Sequence, residues 1–301
     1  MFATRRILPA AILVALLAPS LHAGQVVMTD DERSWARDAL RQEASAQARP
    51  GKNTVAVLAF RSRSQGPDIT PLQKGFAYLL QTDLSRIEGI TVVERLKIQA
   101  LLEELDLGAS GLVEEGTAPR VGRLLGARFL VGGELAASSG QDLKVRSDVL
   151  QVPDQSTLGS PSAEGMLEQV FDIEKKILFE VVSLLKVKLS ARERQELSRA
   201  PTQNYRAFVL FCKGIDAADR GNLAAARNYF DRALALDPAF TPARNAVEEL
   251  TTRGLSPKKP GSSALIEAQA EQNSSTLSIT RTTATIREFR PSATGQIRVT
   301  W

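Results

Sequence analysis

The chain has 301 residues, 43% hydrophobic and 24% charged, a globular composition long enough for about two domains of ~150 residues each, which excludes disorder throughout. Its single histidine, His22, and single cysteine, Cys212, exclude Ser-His-Asp triads, His-ligated zinc, internal disulfides and thiolate clusters from the sequence beyond residue 23. The formal net charge of +4 is uneven, because residues 251–301 hold seven Lys/Arg against three Asp/Glu.

Residues 1–23 combine Arg5 and Arg6, an apolar run from Ile7 to Pro19, and the small Ala23 before Gly24, the pattern of a secretory signal peptide. The run is shorter than the ~20 residues a bilayer span needs. The mature chain is therefore expected to be exported and to have no membrane-spanning segment. Losing Arg5 and Arg6 lowers the net charge to +2, too weak to imply nucleic acid.

Residues 24–52 form an N-terminal helical extension. Thr29 followed by Asp30, Asp31 and Glu32 predicts a helix start, running to about Gln47 with Trp35 and Leu40 as its only large apolar groups. From Thr54 to Phe60 a nearly unbroken apolar run predicts a strand covered on both faces. Thr70 and Pro71 open a helix whose Leu72, Phe76, Leu79, Leu80 and Leu84 share a face. A strand over Ile90–Glu94 and a helix over Arg95–Leu105 complete a βαβα start, which favours parallel neighbours. A loop over Gly108–Gly116 leads to a short helix stopped at Gly126. Phe129–Leu135, Leu143–Val152 and Thr157–Ala163 read as three strands in a meander, and Met166–Val187 as a long helix over one sheet face. Beyond Gly254 the chain is Pro-, Lys-, Gly- and Ser-rich, then alternates at Leu277 and Ile279 and again at Ile297, Val299 and Trp301, compatible with two short strands.

Three short patterns have the residue types of catalytic or binding motifs. Ser183-Leu184-Leu185-Lys186 matches a Ser-x-x-Lys signature, but it falls late in an amphipathic helix without its partner motifs. Glu103-Glu104 and Glu114-Glu115 are adjacent acids, which point about 100° apart on a helix and read as solvated faces. Gly122 and Gly126 lack phosphate-loop spacing and suit close helix-on-strand packing. No catalytic, cofactor-binding or metal residue is assigned, and none of the usual cofactors is expected.

Val92-Val93-Glu94-Arg95, Leu101-Leu102-Glu103-Glu104-Leu105, Leu107-Gly108-Ala109-Ser110-Gly111-Leu112-Val113 and Val121-Gly122-Arg123-Leu124-Leu125-Gly126-Ala127 together resemble the CsgG family. These are curli-secretion-channel proteins and their soluble relatives, which also look like the amino-terminal domain of TolB. The resemblance covers residues 53–189 and implies a mixed sheet with packed helices, a periplasmic or outer-membrane location, and a role in assembling or exporting envelope structures. It also permits a regulator of peptidoglycan synthesis and a homo-oligomer. The charged Lys144, Arg146 and Asp148 on one face of the Leu143–Val152 strand, with short flanking loops, argue against a pore.

Residues 205–238 resemble a tetratricopeptide (TPR) repeat, with Gly214, Gly221, Ala226, Phe230, Ala233 and Pro238 at the pattern's small, aromatic and proline positions. Pro238 would start a solvating helix over Thr241–Leu250. The resemblance implies groove positions for protein contact at Phe208, Phe211, Ile215, Ala218 and Asp219. That groove either takes an apolar segment of a partner or is filled by the chain's own linker, Ser190–Thr202.

The fold expected is α/β, a mixed sheet with packed helices over residues 53–189, followed by an all-α helical hairpin over 190–250 and a basic, flexible tail over 251–301. The function expected is that of a non-enzymatic periplasmic scaffold whose partners are envelope proteins of secretion or cell-wall machinery. A ligand-binding domain, or an enzyme using carboxylates alone, is the reading from another class. A preformed pocket holding a carboxylate of raised pKa would favour it.

Overall fold

The computed structural model describes residues 25–43, 51–64, 69–107, 113, 116–137 and 142–254. The predicted signal peptide, Glu114-Glu115 and the two tail strands lie outside them.

Helix α1 (Asp30–Arg41) starts where Glu32 accepts the Thr29 backbone N–H at 2.7 Å. Strand β1 (Thr54–Val57) follows, then β2 (Arg61–Ser62), helix α2 (Ile69–Leu84), β3 (Thr91–Val92), α3 (Arg95–Glu104) and α4 (Ala118–Leu124). Next come β4 (Phe129–Ala137), β5 (Asp142–Gln151), β6 (Ser156–Gly159), β7 (Ser162–Met166), a 3-10 turn at Leu167–Gln169 and α5 (Val170–Leu184). The sheet has seven strands, in the order β3-β1-β4-β5-β6, with β2 beside β4 and β7 beside β5. The fold is a mixed α/β sheet: β1 runs parallel to both β3 and β4, and β5 runs antiparallel to β4, β6 and β7.

The parallel centre is apolar on both faces because both are covered. Val55, Val57, Val131 and Leu135 meet α2 and α5, whereas Ala56, Leu58 and Leu130 belong to a separate core with α1, α3 and α4. β5 alternates instead, burying Leu143, Val145 and Val149 and exposing Lys144 and Arg146, as expected of a strand covered on one face. Gly122 of α4 touches the end of the same strand pair: a Cβ there would overlap Val152, so the helix comes as close as its glycine allows. Gly126 ends this segment at φ +63°, in the left-handed region.

Three expectations are corrected. The strand predicted over Thr157–Ala163 is two strands, interrupted at Ser160–Pro161. Proline has no N–H for a ladder, although its carbonyl still accepts Ser147 N at 2.8 Å. The linker 190–202 contains a helix, α6 (Ala191–Leu197), because Ser190 and Glu193 form a reciprocal cap. Glu193 also accepts the Glu88 N–H at 3.0 Å, tying the linker to the α/β part. Pro238 does not start the last helix but lies in the turn before it, and Pro242 occupies its first turn.

Helices α7 (Tyr205–Asp219), α8 (Leu223–Leu236) and α9 (Thr241–Thr252) form the C-terminal helical unit of the described chain. Asn204 caps α7 through Ala207 N at 3.0 Å, and Asn222 caps α8 through Ala225 N at 3.1 Å. Between them Gly221 turns the chain at φ +75°. A Cβ on Gly214 would overlap the Phe230 ring, so this glycine sets how closely α7 and α8 pack. One continuous apolar core runs from the sheet through α2 and α5 into α7, α8 and α9. A single helical hairpin cannot bury its own faces, and the α/β part supplies what it lacks. Among the described residues, no helix is long and apolar enough to cross a membrane.

Candidate functional site

The residues expected to line a protein-binding groove converge on the seam between α2 and α7. α2 is covered on two sides: Phe76 meets Phe60 over the sheet, with ring centroids 4.9 Å apart, while Gly75 and Tyr78 face α7. Phe208 packs on Phe171 of α5 at 5.1 Å and beside Gly75. Phe211 meets Tyr78 at 5.0 Å, Phe230 at 5.5 Å and Phe240 at 5.2 Å, so it ties together α2, α7, α8 and the turn before α9. Ile215 and Ala218 are buried in the same core. These side chains pack against α2, α5, α8 and the turn before α9, in a core that Leu197 of the 190–202 linker also joins. An amphipathic α2 that had already covered the sheet still had an apolar second face to bury.

Gly75 is what lets α7 approach. A Cβ at that position would overlap Cys212 Sγ and lie 3.3 Å from the Phe208 ring. Gly75→Ala is therefore expected to destabilise the protein by about 1–3 kcal/mol in urea unfolding. Adding Cys212→Ala is expected to recover part of that loss, and a double-mutant cycle showing no coupling would mean that the seam does not close as described. Burial pushes the Cys212 thiol well above its ordinary pKa, so it belongs to the packing and is no nucleophile in this conformation.

Asp219, the fifth groove position, ends α7 in a charge cluster. Its Oδ1 is 2.6 Å from Arg95 Nη1 and its Oδ2 is 3.0 Å from Lys74 Nζ, while its side chain is only 2% exposed. Lys74, 9% exposed, also pairs with Asp216 at 3.2 Å. Arg95 Nη2 donates to the Gln25 carbonyl at 3.3 Å, joining the N-terminal segment to the cluster. That segment is held again by Glu249 of α9, whose two carboxylate oxygens accept Val26 N at 2.7 Å and Val27 N at 3.1 Å.

A second buried cluster joins α2 to α5. Lys175 Nζ binds Asp83 and lies 3.0 Å from Glu174 Oε2, which is fully buried. Burial pushes the Glu174 carboxyl up to about 8, against the pull of Lys175 and with a further push from Asp83. Burial also raises Asp83, opposed by Lys175 and Arg86. An open cleft of about 360 Å³ lies beside Lys175, walled also by Glu164, Asp172 and Lys176, but Glu174 does not line it.

The remaining candidates are surface features. Ser183 and Lys186 are exposed at the end of α5. Glu103 accepts from Gln99 at 3.3 Å, and Glu104 pairs with Arg37 at 3.4 Å. No group of three or more potential metal ligands occurs among the described residues. Sequence reasoning missed Lys74, Arg95, Glu174 and Glu249. A signal for Lys74 was present, since it is the only cation on a largely apolar α2.

Against known proteins, the family model for the curli production assembly/transport component CsgG matches residues 37–142, from within α1 to the first residue of β5. A protein of Rhizobium meliloti (strain 1021), provisionally named adenylate cyclase 3, is 24% identical over 200 residues. The match covers 64% of this chain but 32% of the relative, so the chain spans about a third of that protein's length. Among solved structures, the C-terminal domain of LpoB from Salmonella enterica aligns at 12% identity over 45% of this chain and 98% of its own, with a TM-score of 0.29. The LpoB C-terminal domain from Escherichia coli aligns at 13% identity over 45% of this chain and 98% of its own, TM-score 0.32. TolB from Acinetobacter baumannii aligns at 14% identity over 46% of this chain and 30% of its own, TM-score 0.32.

Proposed function

We propose that this chain is a non-enzymatic periplasmic accessory protein of a cell-envelope assembly or secretion system, with a tetratricopeptide-type helical unit built onto a CsgG-like α/β domain. The observation that carries this reading is the match of the CsgG family model to residues 37–142, the stretch that builds β1 to β4 and the helices between them. The arrangement of the helical unit supports a scaffold. Its expected groove positions are buried in the shared core, so contact with other proteins falls to its outer surface. The cyclase name of the curated relative belongs to a protein three times as long in proportion to the match, and the reading takes no activity from it.

Full-length protein crosslinked in cells, affinity-purified and identified by mass spectrometry is expected to bring down outer-membrane secretion or cell-wall proteins. In the same preparation the periplasmic fraction should contain a chain beginning at Gly24. Retention of the whole chain in the cytoplasm, or recovery of the protein with no envelope partner, would overturn the proposal.

A further inference from the structure

We propose that Lys74 and Arg95 form a carboxylate-binding site, that Asp219 is its resident ligand in this conformation, and that the site accepts a free carboxylate when Asp219 is withdrawn. The site lies at the carboxyl end of β1, where Val57 and Ala59 form its floor and α2 and α3 its walls, the end of a parallel strand at which α/β sheets place their ligands. It is entered from the side by α7, the first of the three C-terminal helices.

The geometry is that of a receptor for a two-oxygen anion. Asp219 divides its oxygens between the two cations, Oδ1 to Arg95 and Oδ2 to Lys74, which Asp216 also holds from the rim at 3.2 Å. Both cations are largely withdrawn from water, with side chains 16% and 9% exposed. Arg95 has its Nε buried without a hydrogen-bond partner, and its other contact through Nη2 is to a neutral carbonyl, that of Gln25. Beside the carboxylate remains a polar cavity of about 30 Å³, lined also by Tyr78, Gln81 and Gln99, the size of a water site. Removing Asp219 would enlarge that cavity by one carboxylate and leave a desolvated guanidinium facing it, a strong reason for an anion to enter. The enlarged space suits planar formate or acetate better than tetrahedral phosphate.

The site also explains why a lone helical hairpin docks in one register. The apolar seam is permissive in direction, whereas a buried carboxylate meets its two cations in one arrangement only. An acidic side chain of a partner, or a small carboxylate, would compete for the same place and loosen α7.

The test uses full-length Asp219→Ala beside wild type and Lys74→Met/Asp219→Ala, with thermal unfolding followed in formate, acetate, phosphate or chloride at equal ionic strength. Formate is expected to raise the melting temperature of Asp219→Ala along a saturating curve without raising that of wild type, whose site is filled, and chloride to raise neither. The double variant should lose the saturating response. If N-acetylaspartate amide saturates at lower concentration than formate, the natural competitor is a protein-borne acid; if formate and acetate are the tighter, it is a small carboxylate. Insensitivity of Asp219→Ala to every carboxylate, or an equal response in all three proteins, would overturn the proposal. Should Asp219→Ala fail to accumulate in folded form, its refolding yield in formate against chloride gives the same reading, and no gain in formate refutes it.

Discussion

Phe211→Ala is expected to destabilise the protein by about 3–5 kcal/mol, the largest single-residue effect in the helical unit. Phe211 is fully buried and its ring meets Tyr78, Phe230 and Phe240, so truncation empties a space bounded by four segments at once. Those neighbours are themselves large rings on different elements, and they cannot all move inward to fill it. The loss should appear in urea unfolding monitored by circular dichroism, together with faster amide exchange in α7, α8 and α9 than in β4 and β5. Phe211→Asp should prevent the unit from docking, because a buried carboxylate without a partner is added to the lost packing. A stable, well-docked Phe211→Asp protein would mean that the face is open to solvent and free for a partner.

The stability of this protein is expected to fall as pH rises from about 4.5 to about 8, and Glu174→Gln is expected to remove most of that slope. In the fold Glu174 holds its proton up to about 8, whereas the unfolded chain releases it near its ordinary value of 4.5. Between those values the folded state binds the extra proton, so this group's contribution is complete below 4.5 and is lost as pH rises through 8. Asp83, facing it from α2 and also raised, leaves a smaller slope of the same sign in the variant. Histidine contributes little confusion in this window, since the sequence has only His22. At about pH 8.5 Glu174→Gln should exceed wild type by at least about 1 kcal/mol, because the neutral amide escapes the cost of a buried charge. Melting curves across that range decide it, and parallel slopes in the two proteins would show that Glu174 is ionised in the fold throughout.

The elements were legible where one local pattern governs them. The apolar run at Thr54–Phe60 marked β1, Thr29 with its acids marked the start of α1, and Gly126 marked the end after α4. The alternation of Leu143, Val145 and Val149 with Lys144 and Arg146 marked a strand covered on one face. Single residues moved the boundaries. Pro161 split one expected strand, and the Ser190–Glu193 cap made a helix in what read as a linker. The candidate site was legible by position but not by partner. Phe208, Phe211, Ile215, Ala218 and Asp219 do form one face of α7, yet nothing local to them names α2 as what covers it.

Periodicity, capping and turn chemistry act within a few residues, so the sequence alone determined the α/β class, most of the element order and the apolar face of α7. The tertiary structure decided what that face meets. It brought Gly75 against Cys212, Lys74 and Arg95 onto Asp219, and Lys175 between Asp83 and Glu174, pairings separated by up to 145 residues or fixed across two helices. Burial is a property of the assembled core, and it is burial that turns these ordinary surface residue types into paired charges and a carboxyl that holds its proton near neutral pH.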